Sequence, residues 1–200
     1  MARAYLGCVD DGTTAVGRGV RATSAGRFVR AGGLPLVVMA ATVLAVASTR
    51  GDGWLVVTLV LIAPPLVAIT IIDARRHRVP NHLTLAVLAA TVVTVAGRAF
   101  TEPGVTVRAA VASVVVGLFY LLLWRFADLG LGDVKLAAAL ALVAGWSGWQ
   151  TVVVFVVVAH LLQVPVAVWR LARRRRDRIA FAPGLVIGLY LAVAVGSGLP

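Results

Sequence analysis

Six or seven stretches of almost unbroken apolar sequence, each near the length needed to cross a lipid bilayer, constrain this chain more than any other feature. A helix rises ~1.5 Å per residue and the hydrocarbon core is ~30 Å thick, so about 20 apolar residues make a crossing. Such runs, separated by charged residues, glycine or proline, fall at 34–49, 54–72, 83–99, 107–126, 134–146, 150–169 and 179–198, with ends placed to about 2–4 residues. The fifth is short for a crossing unless neighbouring loop residues extend its helix. Composition agrees: 60% of residues are hydrophobic, against roughly 45–50% in soluble domains. The pattern predicts an all-α, polytopic membrane helix bundle of six to seven transmembrane helices over residues 34–200, with the bilayer as its solvent and no room for a separate soluble domain.

The formal charge of +11 would suggest a nucleic-acid partner in a soluble protein. Here it reads as an orientation signal. With the N-terminus in the cytoplasm, sixteen of the nineteen basic residues fall on the cytoplasmic side, including Arg75, Arg76, Arg78, Arg125, Lys135 and the cluster Arg173 to Arg176. Only Arg50, Arg98 and Arg108 fall on the other side, as the positive-inside rule requires. The expected location is the cytoplasmic membrane, and no nucleic-acid partner is expected. Residues 1–33, rich in Gly, Ala, Thr and Arg without periodicity, read as a disordered basic cytoplasmic tail; the competing reading is a signal peptide ending near Ala45-Val46-Ala47.

Cys8 is the sole cysteine and the three histidines, His77, His82 and His160, are scattered. Neither a disulfide framework nor a metal-ligand pattern can be assembled from them, so no metal is expected. His160 and Gln163 share a helical face and are expected to hydrogen-bond between spans. Pro64-Pro65 and Pro165 are expected to kink their helices.

The eight acidic residues are therefore the chemical candidates. Asp10 and Asp11 lie in the polar head, and Asp52, Glu102 and Asp177 in short connectors. Asp73, Asp128 and Asp133 lie at the ends of apolar segments, where an ionisable group is a functional candidate by default. Asp73 ends the second span, against the negative end of that helix's dipole. Either Arg75, Arg76 or Arg78 pairs with it, or its proton affinity is raised for use. Asp133 precedes a strong helix former and reads as an N-cap. A cap does not account for Gly130 and Gly132, which suit a sharp turn or a close backbone approach and would leave room for an extended substrate. Asp128 can pair with Arg125 one helical turn back and is read as structural. Pro80 and Asn81 suit a turn and the start of the third span. Lys135, in a first helical turn where a cation opposes the dipole, is read as neutralising carboxylates or holding substrate backbone. Asp73 and Asp133 fall on the same side of the membrane, which permits a pair of carboxyls sharing one proton.

The segments carrying these residues resemble a known family. Ile72-Asp73-Ala74-Arg75-Arg76-His77-Arg78-Val79-Pro80-Asn81 is similar to the first signature of the type IV prepilin peptidases, an aspartate followed by Ile/Val-Pro-Asn. Gly130-Leu131-Gly132-Asp133-Val134-Lys135-Leu136 resembles the second, Gly-x-Gly-Asp-x-Lys. Phe181-Ala182-Pro183-Gly184 weakly resembles a Pro-Phe-Gly-Pro segment of the family, with Ala182 where glycine is expected. The resemblance covers residues ~54–196, within the error of span ends. It implies an aspartic endopeptidase with Asp73 and Asp133 as catalytic pair, Gly130, Gly132, Lys135, Pro80 and Asn81 shaping the site or binding substrate, and a pilin-like precursor with a basic leader and hydrophobic stem as partner. Residues 34–200 would then be the transmembrane peptidase domain.

Longer family members carry a cytoplasmic domain with paired cysteines, and this chain is similar instead to the short form of tight-adherence pilus systems. Proteolysis would need no cofactor, and S-adenosylmethionine would be used only if an N-methyltransferase activity were retained. Presenilin-type proteases share Gly-x-Gly-Asp, but their Tyr-Asp pair and Pro-Ala-Leu segment are missing here. The alternative class is a small proton-coupled transporter or an assembly scaffold, in which the carboxylates relay protons or cap helices. A carrier should hold its carboxylates near the midplane and a protease of this kind at one face.

Overall fold

A computed structural model describes residues 36–44, 52–76, 78–127, 129–172 and 180–196. All of the secondary structure among them is helical. Helix α1 covers residues 36–44, followed by α2 (Gly53–Arg76), α3 (Asn81–Ala99), α4 (Pro103–Ala127), α5 (Leu131–Ser147), α6 (Trp149–Ala172) and α7 (Ala182–Gly196). Six of the seven apolar runs thus become helices that begin and end within a few residues of expectation. The seventh comparison, the run 34–49, is met by α1 as far as it is described. The basic tail 1–33, Asp128 and the arginine cluster 173–176 lie outside the described residues.

Local chemistry sets the helix ends. Pro80, at φ −69° and ψ 128°, stops the preceding chain and leads into α3, because its ring fixes φ and it carries no N–H. Pro103 opens α4, in the first helical position where a missing N–H costs nothing. Gly148 separates α5 from α6 with φ +133°, a conformation open only to glycine in practice. Between these breaks, α2, α3, α4 and α6 are long and apolar enough to cross a membrane. Their outward faces remain apolar, with Val57, Leu61, Val93, Val114, Leu118, Leu122, Val153 and Leu161 all exposed. An exposed apolar belt of this kind suits lipid as the surrounding solvent.

α5 and α7 answer the question posed by the short fifth run. They have 17 and 15 residues, ~26 and ~23 Å of helix, and α5 is buried almost all round, from Val134 through Trp146. α5 is packed among α3, α4, α6 and α7, so protein rather than lipid surrounds it and it need not match the bilayer thickness by itself.

Small residues permit this close packing. A Cβ at Gly188 would lie 3.0 Å from the Ala159 nitrogen, and one at Gly145 would lie 2.8 Å from the Ala109 Cα. With no apolar driving force between helices in lipid, such backbone approach is how bundles gain contact. Polar groups inside the bundle add to it: Ser113 Oγ donates to the Ala138 carbonyl at 2.8 Å, and the Tyr190 hydroxyl donates to the Leu59 carbonyl at 2.8 Å.

Candidate active site

Because successive helices run up and down, one end of the bundle collects the end of α2, the starts of α3, α5 and α7, and the end of α4. Asp73 and Asp133 both lie there, each almost fully buried at 4% and 8% exposure.

Asp73 sits one turn before the end of α2. The backbone N–H of Ala182, the first residue of α7, donates to its Oδ2 at 3.0 Å. This contact resolves the dipole conflict raised by the sequence. Asp73 faces the negative end of its own helix but receives the positive end of another, and an unsatisfied helix-start N–H gains an acceptor in the same contact. Ala182, which departs from the family pattern, contributes through its backbone. No side-chain chemistry marks such a residue, so reasoning on residue types registered Ala182 only as a departure from the family pattern.

Asp133 is not the N-cap that was expected. Gly130 holds that position with φ −73° and ψ 137°, and Asp133 is the third residue of α5. From there its carboxylate reaches back to the Gly130 N–H, one half of the reciprocal pattern seen when an acid stands at N3. Its Oδ1 is buried and makes no hydrogen bond among the described residues. Standing at the membrane edge just before the apolar stretch that begins at Val134, Asp133 has its proton affinity shifted upward. Burial, then the neighbouring charge of Asp73, push it from 3.8 to about 7, with the Gly130 N–H pulling the other way. The charge of Asp73 is thus felt at Asp133, second to burial.

The glycines make room for the protein itself. A Cβ at Gly130 would lie 2.9 Å from Asp133 Oδ2, and one at Gly132 would lie 2.8 Å from the Val79 Cβ and 3.3 Å from the Val79 carbonyl. Gly132 therefore lets the α2–α3 connector seat against the start of α5, bringing the two sequence motifs into contact. Pro80 is the N-cap of α3 and Asn81 its first residue, and the Pro80 carbonyl accepts from the Thr84 N–H at 3.2 Å. Lys135 Nζ donates to Asn81 Oδ1 at 3.4 Å across the exposed rim, a second tie between the same two segments.

Two other expectations resolve differently. His160 Nδ1 bonds the Val156 carbonyl of its own helix at 2.7 Å, because residue i−4 is the nearest acceptor, while the ring packs edge-on against Phe119 and Phe181. Gln163 does link elements, donating to the Phe181 carbonyl at 3.2 Å, and so holds the approach to α7 and its contact with Asp73. Tyr120, which the sequence reading did not single out, is fully buried beside this group.

An all-helical membrane bundle with two buried, interacting carboxyls gathered at one end defines the class: an integral membrane protein with a built polar site at its edge. The sequence profile of the type IV leader peptidase family matches residues 59–168, including both aspartates, and the chain belongs to that family. It is 29% identical over 193 residues to a prepilin leader peptidase/N-methyltransferase of Aeromonas hydrophila, covering 91% of this chain and 63% of the relative. A protein of the same description from Burkholderia pseudomallei is 33% identical over 131 residues, covering 62% of this chain and 41% of the relative. One from Pectobacterium carotovorum is 35% identical over 136 residues, covering 62% and 46%. This chain thus spans less than two thirds of the length of the curated relatives it matches. No solved structure matches it.

Proposed function

We propose that this protein is an aspartic endopeptidase that removes the leader from pilin-like precursors at the cytoplasmic face of the membrane. The observation that carries the reading is that Asp73 and Asp133 are both buried at the same end of the bundle, with the charge of Asp73 felt at Asp133 and Asp133 Oδ1 unpartnered among the described residues. In this reading the two carboxyls share a proton when substrate and water are bound, and the apparent proton affinities belong to the pair. Negative charge on Asp73 is stabilised by the Ala182 N–H and the start of α7, so Asp73 is assigned as the general base. Asp133, pushed up to about 7, is assigned as the acid.

In this mechanism Asp73 takes a proton from water as its oxygen attacks the scissile carbonyl carbon. Asp133 hydrogen-bonds the carbonyl oxygen and then gives a proton to the departing amine, and the C–N bond breaks to a carboxylic acid and an amine. Water and two carboxyls are sufficient for the chemistry. The concentration of arginine at this end, Arg75, Arg76, Arg78 and Arg125, supports its cytoplasmic orientation. The precursor's hydrophobic stem would lie in the bilayer against the apolar helix faces, with its basic leader in the cytoplasm. Methylation of the new terminus belongs to the names of longer relatives and is not assigned to this chain. The position of both carboxyls in terminal turns, away from mid-helix, favours protease over proton carrier.

The test is co-expression of the full chain with a pilin-like precursor, read as leader loss on a gel. Asp73→Asn and Asp133→Asn should each insert normally and leave the precursor uncut. Complete processing by either variant overturns the pair.

A further inference from the structure

Among the described residues of this end, Tyr120 and His160 are large side chains with a buried, unpartnered polar atom that the mechanism above leaves unused. His160 already commits its Nδ1 to the Val156 carbonyl, which leaves Tyr120 as the free donor. It is fully buried, and its hydroxyl makes no hydrogen bond among the described residues. A hydroxyl taken out of water without a partner costs roughly 1–3 kcal/mol in proteins, whereas phenylalanine would fill the same volume without that cost.

Packing shows where the phenol stands. α4 and α5 run antiparallel in close contact, from Gly145 beside Ala109 to Ala138 beside Ser113 and Gly117. Continuing that register by one turn brings Tyr120 level with Asp133. The ring also packs on Phe181, with centroids 6.0 Å apart, and Phe181 adjoins Ala182, whose N–H holds Asp73. His160 and Phe119 wall the ring on its other sides at 5.5 Å each. Tyr120 is therefore fixed between the anchor points of both carboxyls. The Tyr120 hydroxyl and Asp133 Oδ1 nevertheless form no hydrogen bond with each other. A donor and an acceptor, both buried and both unpaired among the described residues, thus stand at the same level of the bundle.

We propose that the Tyr120 hydroxyl is a catalytic hydrogen-bond donor that receives the scissile carbonyl oxygen of the substrate peptide beside Asp133. The inference rests on the endopeptidase reading and deepens it. When water attacks, the C=O π pair moves onto oxygen, and the phenol donates a hydrogen bond to that oxyanion without surrendering its proton. When the C–N bond breaks, the carbonyl re-forms and the amine takes its proton from Asp133. A donor placed where charge develops acts on the transition state more than on the bound substrate. Rigid aromatic walls suit this task, because the donor is aimed before substrate arrives.

Tyr120→Phe in the full chain, purified in detergent micelles and assayed on a precursor with a basic leader and hydrophobic stem, tests this. The expected result is a kcat lower by about 10²–10³-fold with KM changed by less than about threefold, as for loss of an oxyanion donor. The pH profile should keep its position, and the melting temperature should be equal or higher because an unpaired buried hydroxyl is gone. A kcat within about threefold of wild type, a loss expressed mainly in KM, a displaced pH limb, or a fall in melting temperature would each overturn the proposal. Inactive Asp133→Asn beside fully active Tyr120→Phe would reject the donor while leaving the carboxyl pair intact. Active Asp73→Asn or Asp133→Asn would reject the endopeptidase reading itself.

Discussion

The two ends of this bundle use the same residue types for opposite purposes. At the end remote from the site, Asp52 stands before α2 and accepts from the Leu55 N–H at 3.3 Å, from Arg98 at 3.2 Å and from the Trp146 indole N–H at 3.1 Å. Arg98 also bonds Glu102 at 2.7 Å and lies over the Trp146 ring. Arg108 donates to the last carbonyls of α5, at 2.8 Å to Gly145 and 2.6 Å to Trp146. Acid lies at a helix start and base at a helix end, as the dipoles favour. At the other end an acid closes α2, a second acid is buried in front of it, and an oxygen and a phenol are left unpaired. One end ties its charged groups to one another, although Arg98 Nε and Ser147 Oγ are unpaired there too among the described residues. The other buries two acids and leaves Asp133 Oδ1 and the Tyr120 hydroxyl outside any such network.

The comparison is broken or sharpened by moving charge at each end in turn. The largest effect should come from Asp73→Asn or Asp133→Asn, with cleavage lost by at least about 10³-fold and the melting temperature held or raised, since one ionisable group fewer is buried in the site. Next comes Gly132→Ala, whose new methyl group meets Val79 at 2.8 Å. Displacing the α2–α3 connector should slow cleavage about 10- to 100-fold, measured as kcat on the same precursor, with a stability loss of about 1–3 kcal/mol.

The pH dependence follows from Asp133. Cleavage should fall as pH rises through about 7, where Asp133 gives up its proton. Stability carries the same signature: the unfolded chain loses this proton near 3.8 while the folded one keeps it to about 7. The folded state binds more protons across that window, so its stability is fully present below 3.8 and declines as pH rises to about 7. Thermal melts from pH 4 to 8 should show this decline in wild type and a flatter course in Asp133→Asn.

Smaller effects separate the ends further. Asp52→Asn should lower stability by about 1–3 kcal/mol in thermal melts yet leave cleavage unchanged. If it abolishes cleavage without unfolding, the division of labour between the ends is wrong. Lys135→Met should be smallest, within about 0.5 kcal/mol on melting, because its bond to Asn81 is long and exposed.

Much of this architecture is legible from residue order. The apolar runs predict the helices because segment length and hydrophobicity alone decide what crosses lipid, and Pro80, Pro103 and Gly148 mark their limits for reasons internal to the backbone. Asp73 and Asp133 could be picked out because carboxylates are rare in such a chain, and counting crossings placed them at one face. Asp133 as an N-cap could not be corrected by counting, since a helix start three residues earlier, with Gly130 as the cap, moves it from cap to N3. Gly132 offered the right signal, close approach, but the approaching group is Val79 from another connector.

By itself the sequence determined a polytopic helical bundle, its helix limits to within a few residues, and two carboxylates at one end, since these follow from hydropathy, backbone geometry and parity of crossings. Only the tertiary structure decided what surrounds those carboxyls. The Ala182 N–H reaching Asp73, the upward shift at Asp133 and the unpaired phenol of Tyr120 all depend on distances between helices far apart in the chain, where burial and neighbouring charge set the chemistry of a residue.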